Sequence, residues 1–406
     1  MALLIGSLGL TGCGLGGPPP VSVPVDGAGA LMDEVIEVLD ARAESVRAGR
    51  LEDYIGGIDT TDAGFVVGQK QYYANLQQLP LGRFGYTVPE NSTPSTEGGT
   101  TTLLVLVRLQ LAGYDAVPVT TPARFSFVRN AEGMLVLSAT RDREWERSHD
   151  VDLAPWDLYP IRAEEESGVL GIFDEQSVDA ADEILDAVRD GAGQVQATAP
   201  FDWKGRVVVY ALSSVDVLAS LDNLPGGDPD ALDGVAFPVR AAADSTKVAS
   251  TRFMLHPRMI ERDEPLRDRL VRHELTHVAM GPRDDNVPIW LSEGLAEFVS
   301  VQPVAAHERM ISRDALEAAQ AGITELPRDD SFNGAESSKN YGIAWYACEY
   351  IASTFGQDTL WRLFEEMRRA RGISEARQDD VLLEVLGVDS SEVAEAAGRK
   401  IIATFG

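Results

Sequence analysis

The chain is poor in residues that form cross-links and in positive charge. It contains two cysteines in 406 residues, Cys13 and Cys348, so at most one disulfide can form within it. Its 35 Lys and Arg residues are outnumbered by 64 Asp and Glu residues, which gives a net charge of -29. Because a surface of this sign repels phosphate groups, we expect no nucleic-acid partner.

Long apolar runs are also scarce. Residues 2–10 are apolar but too few to span a bilayer, and they suit the core of a secretion signal. They lead into Leu-Thr-Gly-Cys at residues 10–13, which resembles the bacterial lipobox, although no Lys or Arg precedes the run. The resemblance implies a lipoprotein signal peptide over residues 1–13 and a lipid on Cys13. We therefore expect anchoring at the extracytoplasmic face of a bacterial membrane and no disulfide to Cys348.

The part of the chain up to about residue 150 has the pattern of one α+β domain. Residues 14–29 are rich in Gly and Pro and predict a flexible tether. Residues 30–150 begin with helical periodicity and continue with strand-like stretches, among them "TTLLVLVRLQL" and "ARFSFVRN". This order predicts helices followed by an antiparallel sheet. It resembles the cone-shaped folds of the nuclear-transport-factor-like or cystatin-like type.

Residues 160–406 predict a second domain. The stretches "SGVLGIFD", "GRVVVYAL" and "STRFMLHP" read as strands that alternate with helices, and the last third of the chain is helical in pattern. The overall expectation is an α+β protein with a mixed sheet and a helical C-terminal part. "STRFMLHP" is a candidate edge strand along which an extended peptide could pair.

The segment "RLVRHELTHVAMG", residues 269–281, contains two of the five histidines. His273 and His277 are one helical turn apart, so both rings project from the same face and can converge on one ion. Glu274 can reach a water beside that ion. Two ligands are too few for a zinc site, and both rings could instead be hydrogen-bonded core histidines.

A third ligand is available in "PIWLSEGLAEFVS", residues 288–300. Pro288 suits the start of a second helix, on which Glu293 and Glu297 share one face. Gly294 would let this helix approach the histidine helix closely. Fifteen residues separate His277 from Glu293, enough for a reversal of the chain.

These two motifs resemble those of the glutamate-zincin metallopeptidases, which include thermolysin-like enzymes and zinc aminopeptidases. The resemblance implies a zincin-type domain with Zn²⁺ bound by His273, His277 and Glu293. It further implies that Glu274 activates the attacking water and that Glu297 orients the first histidine.

The metzincin pattern does not fit, because Met280 and Arg283 stand where its Gly and third His are expected.

The remaining catalytic group is an electrophile for the oxyanion. Tyr341, near the start of a predicted helix, is the first candidate, with Tyr346 and His307 as alternatives. Packing of Tyr341 in the core is the competing interpretation. His149 and His256 have no partner motif and are expected to be structural.

The sequence thus predicts a zinc-dependent peptidase that acts on a peptide or protein at the membrane surface. Two alternatives stay open. One is a binding or assembly lipoprotein that keeps the zincin scaffold without catalysis, and the other is a zinc hydrolase with a non-peptide substrate. Cys348 is expected to be a buried apolar residue rather than a nucleophile.

Overall fold

The structure is a computed structural model that describes residues 25–221, 224–225, 227–262, 264–371 and 374–406. The predicted signal peptide, the lipidation residue Cys13 and most of the predicted tether lie outside these residues. Within the described part, no helix combines the length and apolarity that a bilayer crossing requires.

Three helices open the described chain: α1 (Val25–Arg47), α2 (Leu51–Gly56) and α3 (Ala63–Gln78). The first begins five residues before the helical pattern predicted from residue 30, so residues 25–29 are helix rather than tether. Glycine costs about 1 kcal/mol in a helix, which weakens but does not stop a helix that is already propagating. Because of Gly27 and Gly29, the sequence pattern predicts a tether here although the residues are helical.

An antiparallel sheet follows, as the sequence predicts. It contains β1 (Leu81–Thr87), β2 (Ser95–Glu97), β3 (Thr100–Leu111), β4 (Val119–Arg129) and β5 (Leu135–Ala139). The strand order is β1-β3-β4-β5, and β2 pairs with β3. β2 lies in the polar loop before β3, which was not predicted to contain a strand. The two residues between β2 and β3, Gly98 and Gly99, both have positive φ, which suits a tight hairpin.

The second sheet is mixed. Its strands are β6 (Arg162–Glu166), β7 (Val169–Phe173), β8 (Val207–Ala211), β9 (Gly234–Arg240) and β10 (Val248–Leu255), in the order β6-β7-β8-β10-β9. β7, β8 and β10 are parallel, whereas β6 and β9 are antiparallel to their neighbours.

The edge strand on the side of the histidine helix is therefore β9, and the expectation that "STRFMLHP" forms this edge is wrong. Its first six residues, 250–255, belong to β10, which lies between β8 and β9. The sequence pattern does not predict β9, because Pro238 interrupts its apolar residues. An edge strand tolerates proline, since one side of it has no ladder to break.

The other helices connect or cover the sheets. They are α4 (Arg143–Ser148), α5 (Pro155–Leu158), α6 (Ala181–Thr198), α7 (Asp216–Ala219), α8 (Pro257–Ile260), α9 (Glu264–Met280), α10 (Ile289–Ser300), α11 (Arg313–Ala321), α12 (Ser337–Phe355), α13 (Gln357–Ala370), α14 (Glu375–Leu386) and α15 (Ser390–Phe405). Together with the two sheets they confirm a mixed α+β chain.

The second sheet is covered on both faces, which explains its continuous apolar strands. Along β8, Val207 and Val209 join the core formed with α6 and the C-terminal helices. Val208 and Tyr210 point the other way, into a core shared with the first sheet and its helices. The N-terminal part thus packs directly on the back of the sheet that supports the histidine helix.

Candidate metal centre

The histidine helix α9 is fixed by close packing. Leu275 is fully buried, and a Cβ built on Gly191 of α6 would lie 2.9 Å from its side chain. The missing Cβ of Gly191 therefore lets α6 approach α9 closely. On the opposite face, His273 and His277 line a cleft of about 220 Å³ together with Glu274, Glu293 and Tyr341.

The chain reverses directly after the helix. Gly281 has φ +54°, a left-handed conformation in which glycine is strain-free. A 3₁₀ turn over Gly281–Asn286 then leads into α10, which begins at Ile289. This reversal returns Glu293 to the histidines.

Three donor atoms converge on one point. The Oε2 atom of Glu293 lies 3.1 Å from Nε2 of His273 and 3.4 Å from Nε2 of His277. The two Nε2 atoms are 3.3 Å apart. A tetrahedral zinc ion with bonds of about 2.0–2.1 Å separates its ligand atoms by about 3.3 Å. The spacing and the donor types therefore fit zinc.

Each histidine also contacts a carboxylate through its other ring nitrogen. Nδ1 of His273 lies 3.4 Å from Oε1 of Glu297, and Nδ1 of His277 lies 2.8 Å from Oδ2 of Asp284. A proton on Nδ1 leaves the lone pair of Nε2 free for a metal, so these contacts select the binding tautomer.

The two supporting carboxylates are themselves anchored. Arg269 donates to Glu297, and the hydroxyl of Ser292 donates to the second oxygen of Asp284. Arg269 lies on α9 and Ser292 lies on α10. The position of each carboxylate therefore depends on the packing of α9 against α10.

The electrostatics follow from this crowding. Burial would lower the pKa of His273, but its hydrogen bonds to Glu293 and Glu297 outweigh that effect and raise the pKa to about 9. Burial raises the pKa of Glu293, yet the charge of His277 and the hydrogen bonds from both rings bring it well below its usual value. The cluster thus attracts positive charge, whether as protons or as a cation.

Glu274 lies beside the three donors but is held from another direction. The residue is 4% exposed, and the backbone N–H of Ala236 on β9 lowers the pKa of its carboxylate. Burial raises the pKa of Glu274, while the two neighbouring histidines act in the opposite direction. A carboxylate in this position can accept a proton from a water in the cleft.

Tyr341 projects from the second turn of α12 into the same cleft. Its ring centroid is 6.1 Å from that of His273, and its hydroxyl donates to Oδ1 of Asn333 at 3.3 Å. Burial raises the pKa of Tyr341 well above its usual value, helped by the charge of Glu293. The hydroxyl therefore stays protonated and can donate a hydrogen bond.

The alternative electrophiles lie elsewhere. Tyr346 is buried against Trp345 and Phe405, and the side chain of His307 is 84% exposed on the surface.

The other two histidines also lie outside the cleft. His149 stacks on Trp145, and His256 accepts from the backbone N–H of Arg258 as the N-cap of α8. Cys348 is buried, and burial raises the pKa of its thiol well above the usual value, so it remains protonated.

The predicted role of Gly294 needs correction. A Cβ there would lie 2.4 Å from the carbonyl oxygen of Ala344, so this glycine admits α12 rather than the histidine helix. Successive helical residues are rotated by about 100°, and Glu293 already faces α9. The next residue along must therefore face a different neighbour.

The sequence analysis did not identify three contributors to the centre: Asp284, Asn333 and the backbone N–H of Ala236. Asp284 follows His277 by seven residues in a turn without periodicity, and no local pattern marks it as a partner of that ring.

A scan against protein-family models finds no matching family, and a search of curated proteins finds no similar sequence.

Proposed function

We propose that the chain is a zinc-dependent peptidase whose metal is bound by His273, His277 and Glu293. The observation that carries the proposal is the convergence of Nε2, Nε2 and Oε2 at mutual distances of 3.1–3.4 Å. The resemblance of the two helices to those of glutamate-zincin metallopeptidases supports the same assignment.

The donor set decides what kind of chemistry is available. Two imidazoles and one carboxylate leave the fourth position of a tetrahedral ion open, as in catalytic rather than structural zinc sites. Zinc held in such a site supplies a Lewis acid that acidifies water and polarises a carbonyl group.

The residues of the chain supply the proton transfers and the orientation. Glu274 accepts the proton of the attacking water and passes it to the leaving amine. The phenol of Tyr341, kept protonated, donates to the oxygen on which negative charge develops. Glu297 and Asp284 keep both imidazoles in the tautomer that presents Nε2 to the cleft.

An extended peptide is the substrate that the surroundings favour. The backbone N–H of Ala236 points away from β10 and towards Glu274, so the outer edge of β9 borders the reacting groups. A peptide that pairs with this edge would place a carbonyl beside Glu274 with little demand on its side chains.

The test compares cleavage of a mixed peptide library by the wild type and by Glu274→Gln. This change keeps the shape of the side chain but removes the base, so cleavage should fall by about 10²–10⁴-fold while zinc content is unchanged. Products are counted by mass spectrometry.

Glu264→Gln provides the matched control, because it makes the same chemical change at an exposed position on the same helix. It should cleave like the wild type. Near-zero cleavage by wild type and Glu274→Gln alike would instead favour a binding protein that keeps the scaffold without turnover. Cleavage of a non-peptide ester or amide in its place would favour the alternative hydrolase.

We also propose that the domain is held at the extracytoplasmic face of a bacterial membrane by a lipid on Cys13. The lipobox-like residues 10–13 support this proposal. Cys13→Ser should release the protein from the membrane fraction into the soluble fraction.

A further inference from the structure

A second and larger cavity lies on the other side of β9. Its volume is about 1010 Å³, and its wall combines residues of the first sheet, such as Leu109 and Phe125, with residues of the second sheet, such as Tyr210 and Phe237. The cavity therefore sits where the N-terminal part packs on the back of the second sheet. Its size is at the upper end of the range of small-molecule sites.

The cavity is not part of the metal centre. His273, His277, Glu274 and Glu293 line the smaller cleft and are absent from the wall of the larger cavity. Within the described part of the chain, the lining residues common to the two spaces are Pro225 and residues of β9, which form the boundary between them. A ligand in the larger cavity would be a second occupant, distinct from a substrate at the metal.

The wall contains a buried cation with neutral partners. Arg42 is 4% exposed, and its guanidinium donates to the hydroxyls of Tyr54 and Tyr86 and to the amide oxygen of Gln69. Nη1 of Arg42 is buried and has no hydrogen-bond partner among the residues that the structure describes. A buried donor left unsatisfied costs about 1–3 kcal/mol, and more when the group is charged.

Arg143 and Arg240 of the same wall are exposed to solvent, and the two other arginines, Arg141 and Arg252, are paired with carboxylates, which sets the buried Arg42 apart. Arg252 forms a buried ion pair with Asp115 at 2.8 Å, and Arg141 pairs with Glu146 at 2.7 Å. Asp157, also in the wall, accepts from the backbone N–H of Ala154. Arg42 is thus the buried arginine of this wall whose charge is not neutralised by a carboxylate, and an anion bound beside it would neutralise that charge.

We propose that this cavity binds a small organic anion, a carboxylate with an apolar body, whose head group pairs with Arg42. The apolar body would lie against the aliphatic and aromatic wall, where burial contributes about 25 cal/mol per Å². The head group would accept from the guanidinium of Arg42, in the charge-assisted geometry that guanidinium favours.

The experiment measures binding of two fluorescent probes to the full chain. Anilinonaphthalene sulfonate is anionic, and N-phenyl-1-naphthylamine has a similar apolar body without charge. We expect saturable binding of the anionic probe, displaced by decanoate. In Arg42→Met its affinity should fall at least 10-fold, whereas the neutral probe should change less than 2-fold.

Two further variants keep the test decisive if Arg42→Met does not fold, which circular dichroism would reveal. Arg42→Lys keeps the charge and should retain most of the affinity for the anionic probe. Thr121→Trp keeps Arg42 but fills the cavity from β4, and should weaken both probes. Zinc content should not change in either variant.

Several outcomes would overturn the proposal. These are no saturable binding by the wild type, an equal loss of both probes in folded Arg42→Met, and unchanged binding in Thr121→Trp. The readout does not involve peptide cleavage, so a failure here would leave the peptidase proposal standing, and the reverse also holds.

Discussion

Each of the two histidines proposed as metal ligands is held at both of its ring nitrogens. Nε2 of each ring contacts Glu293 in the cleft, and on the other side Nδ1 contacts Glu297 or Asp284. An imidazole fixed in this way loses little rotational freedom when it binds a cation. The supporting carboxylates should therefore matter for affinity almost as much as the ligands do.

Asp284→Asn tests this at a position outside the ligand set. An amide can present its N–H₂ rather than an oxygen to Nδ1 of His277, which disfavours the tautomer that binds metal. We expect zinc affinity to fall by about 10–100-fold, measured by competition with a fluorescent chelator.

The neighbouring substitution Asp285→Asn removes the same charge from an exposed side chain and serves as the control. Its zinc affinity should stay close to that of the wild type. Equal losses in both variants would mean that only the total negative charge matters, and that Asp284 does not orient the ring.

At this scale the sequence predicts the residues that follow a helical period and misses those that do not. His273, His277, Glu293 and Glu297 are spaced by single turns, and the structure brings them together with Tyr341. Asp284 and Asn333 reach the centre through irregular turns, whose side-chain directions depend on tertiary packing and not on spacing.

Among the elements, the position of α10 controls the centre because this helix supplies Glu293. It is packed between α9 and α12, and the contact with α12 is made at Gly294, where backbone meets backbone. If α10 moved away from α12 to make room for a side chain at position 294, Glu293 would move with it.

Gly294→Ala should therefore destabilise the protein. The added Cβ would start 2.4 Å from the oxygen of Ala344, and overpacking of this kind costs about 1–3 kcal/mol. The free energy of unfolding, measured in urea, should fall by that amount, and zinc affinity should fall with it.

Gly193→Ala on α6 is the matched control, since no atom of the described residues lies within 4 Å of its built Cβ. Without a clash, the better helix propensity of alanine should stabilise the chain by about 0.5–1 kcal/mol. A similar loss in both variants would contradict the role assigned to close packing at Gly294.

Most elements could be predicted from periodicity, and the missed ones show where periodicity fails. β2 is three exposed polar residues, β6 consists mainly of exposed charged residues, and β9 contains Pro238, so none of the three has an alternating apolar pattern. All three form because a neighbouring strand offers its hydrogen bonds, which a single segment of sequence does not reveal.

In the whole molecule, a buried ion pair joins the two sheets. Asp115 follows the first sheet's β3, and Arg252 lies on β10; their side chains are 0% and 3% exposed. Asp115 also accepts from the hydroxyl of Ser250 and from the backbone N–H of Leu111. This network fixes how the N-terminal part sits on the back of the second sheet.

Asp115→Asn would leave the guanidinium of Arg252 buried without a counter-charge. We expect the free energy of unfolding to fall by about 3–5 kcal/mol. The double variant Asp115→Asn with Arg252→Met removes the orphaned charge and should recover part of that loss. Additive losses in a double-mutant cycle would show that the two side chains do not interact.

Pairing between distant parts of the chain is what the sequence could not predict at this scale. The composition and order of elements indicate two α+β units, but nothing in a strand pattern specifies that Asp115 meets Arg252. The cavity beside Arg42 is also a product of that docking, because its wall comes from both parts.

The most direct test of the account is the zinc content per chain of purified protein, measured by elemental mass spectrometry. We predict about one zinc per chain in the wild type, and a sharp reduction in both His277→Ala and Glu293→Ala, since each removes one of three ligands. No zinc in folded wild-type protein, even after reconstitution with the metal, would contradict the central claim.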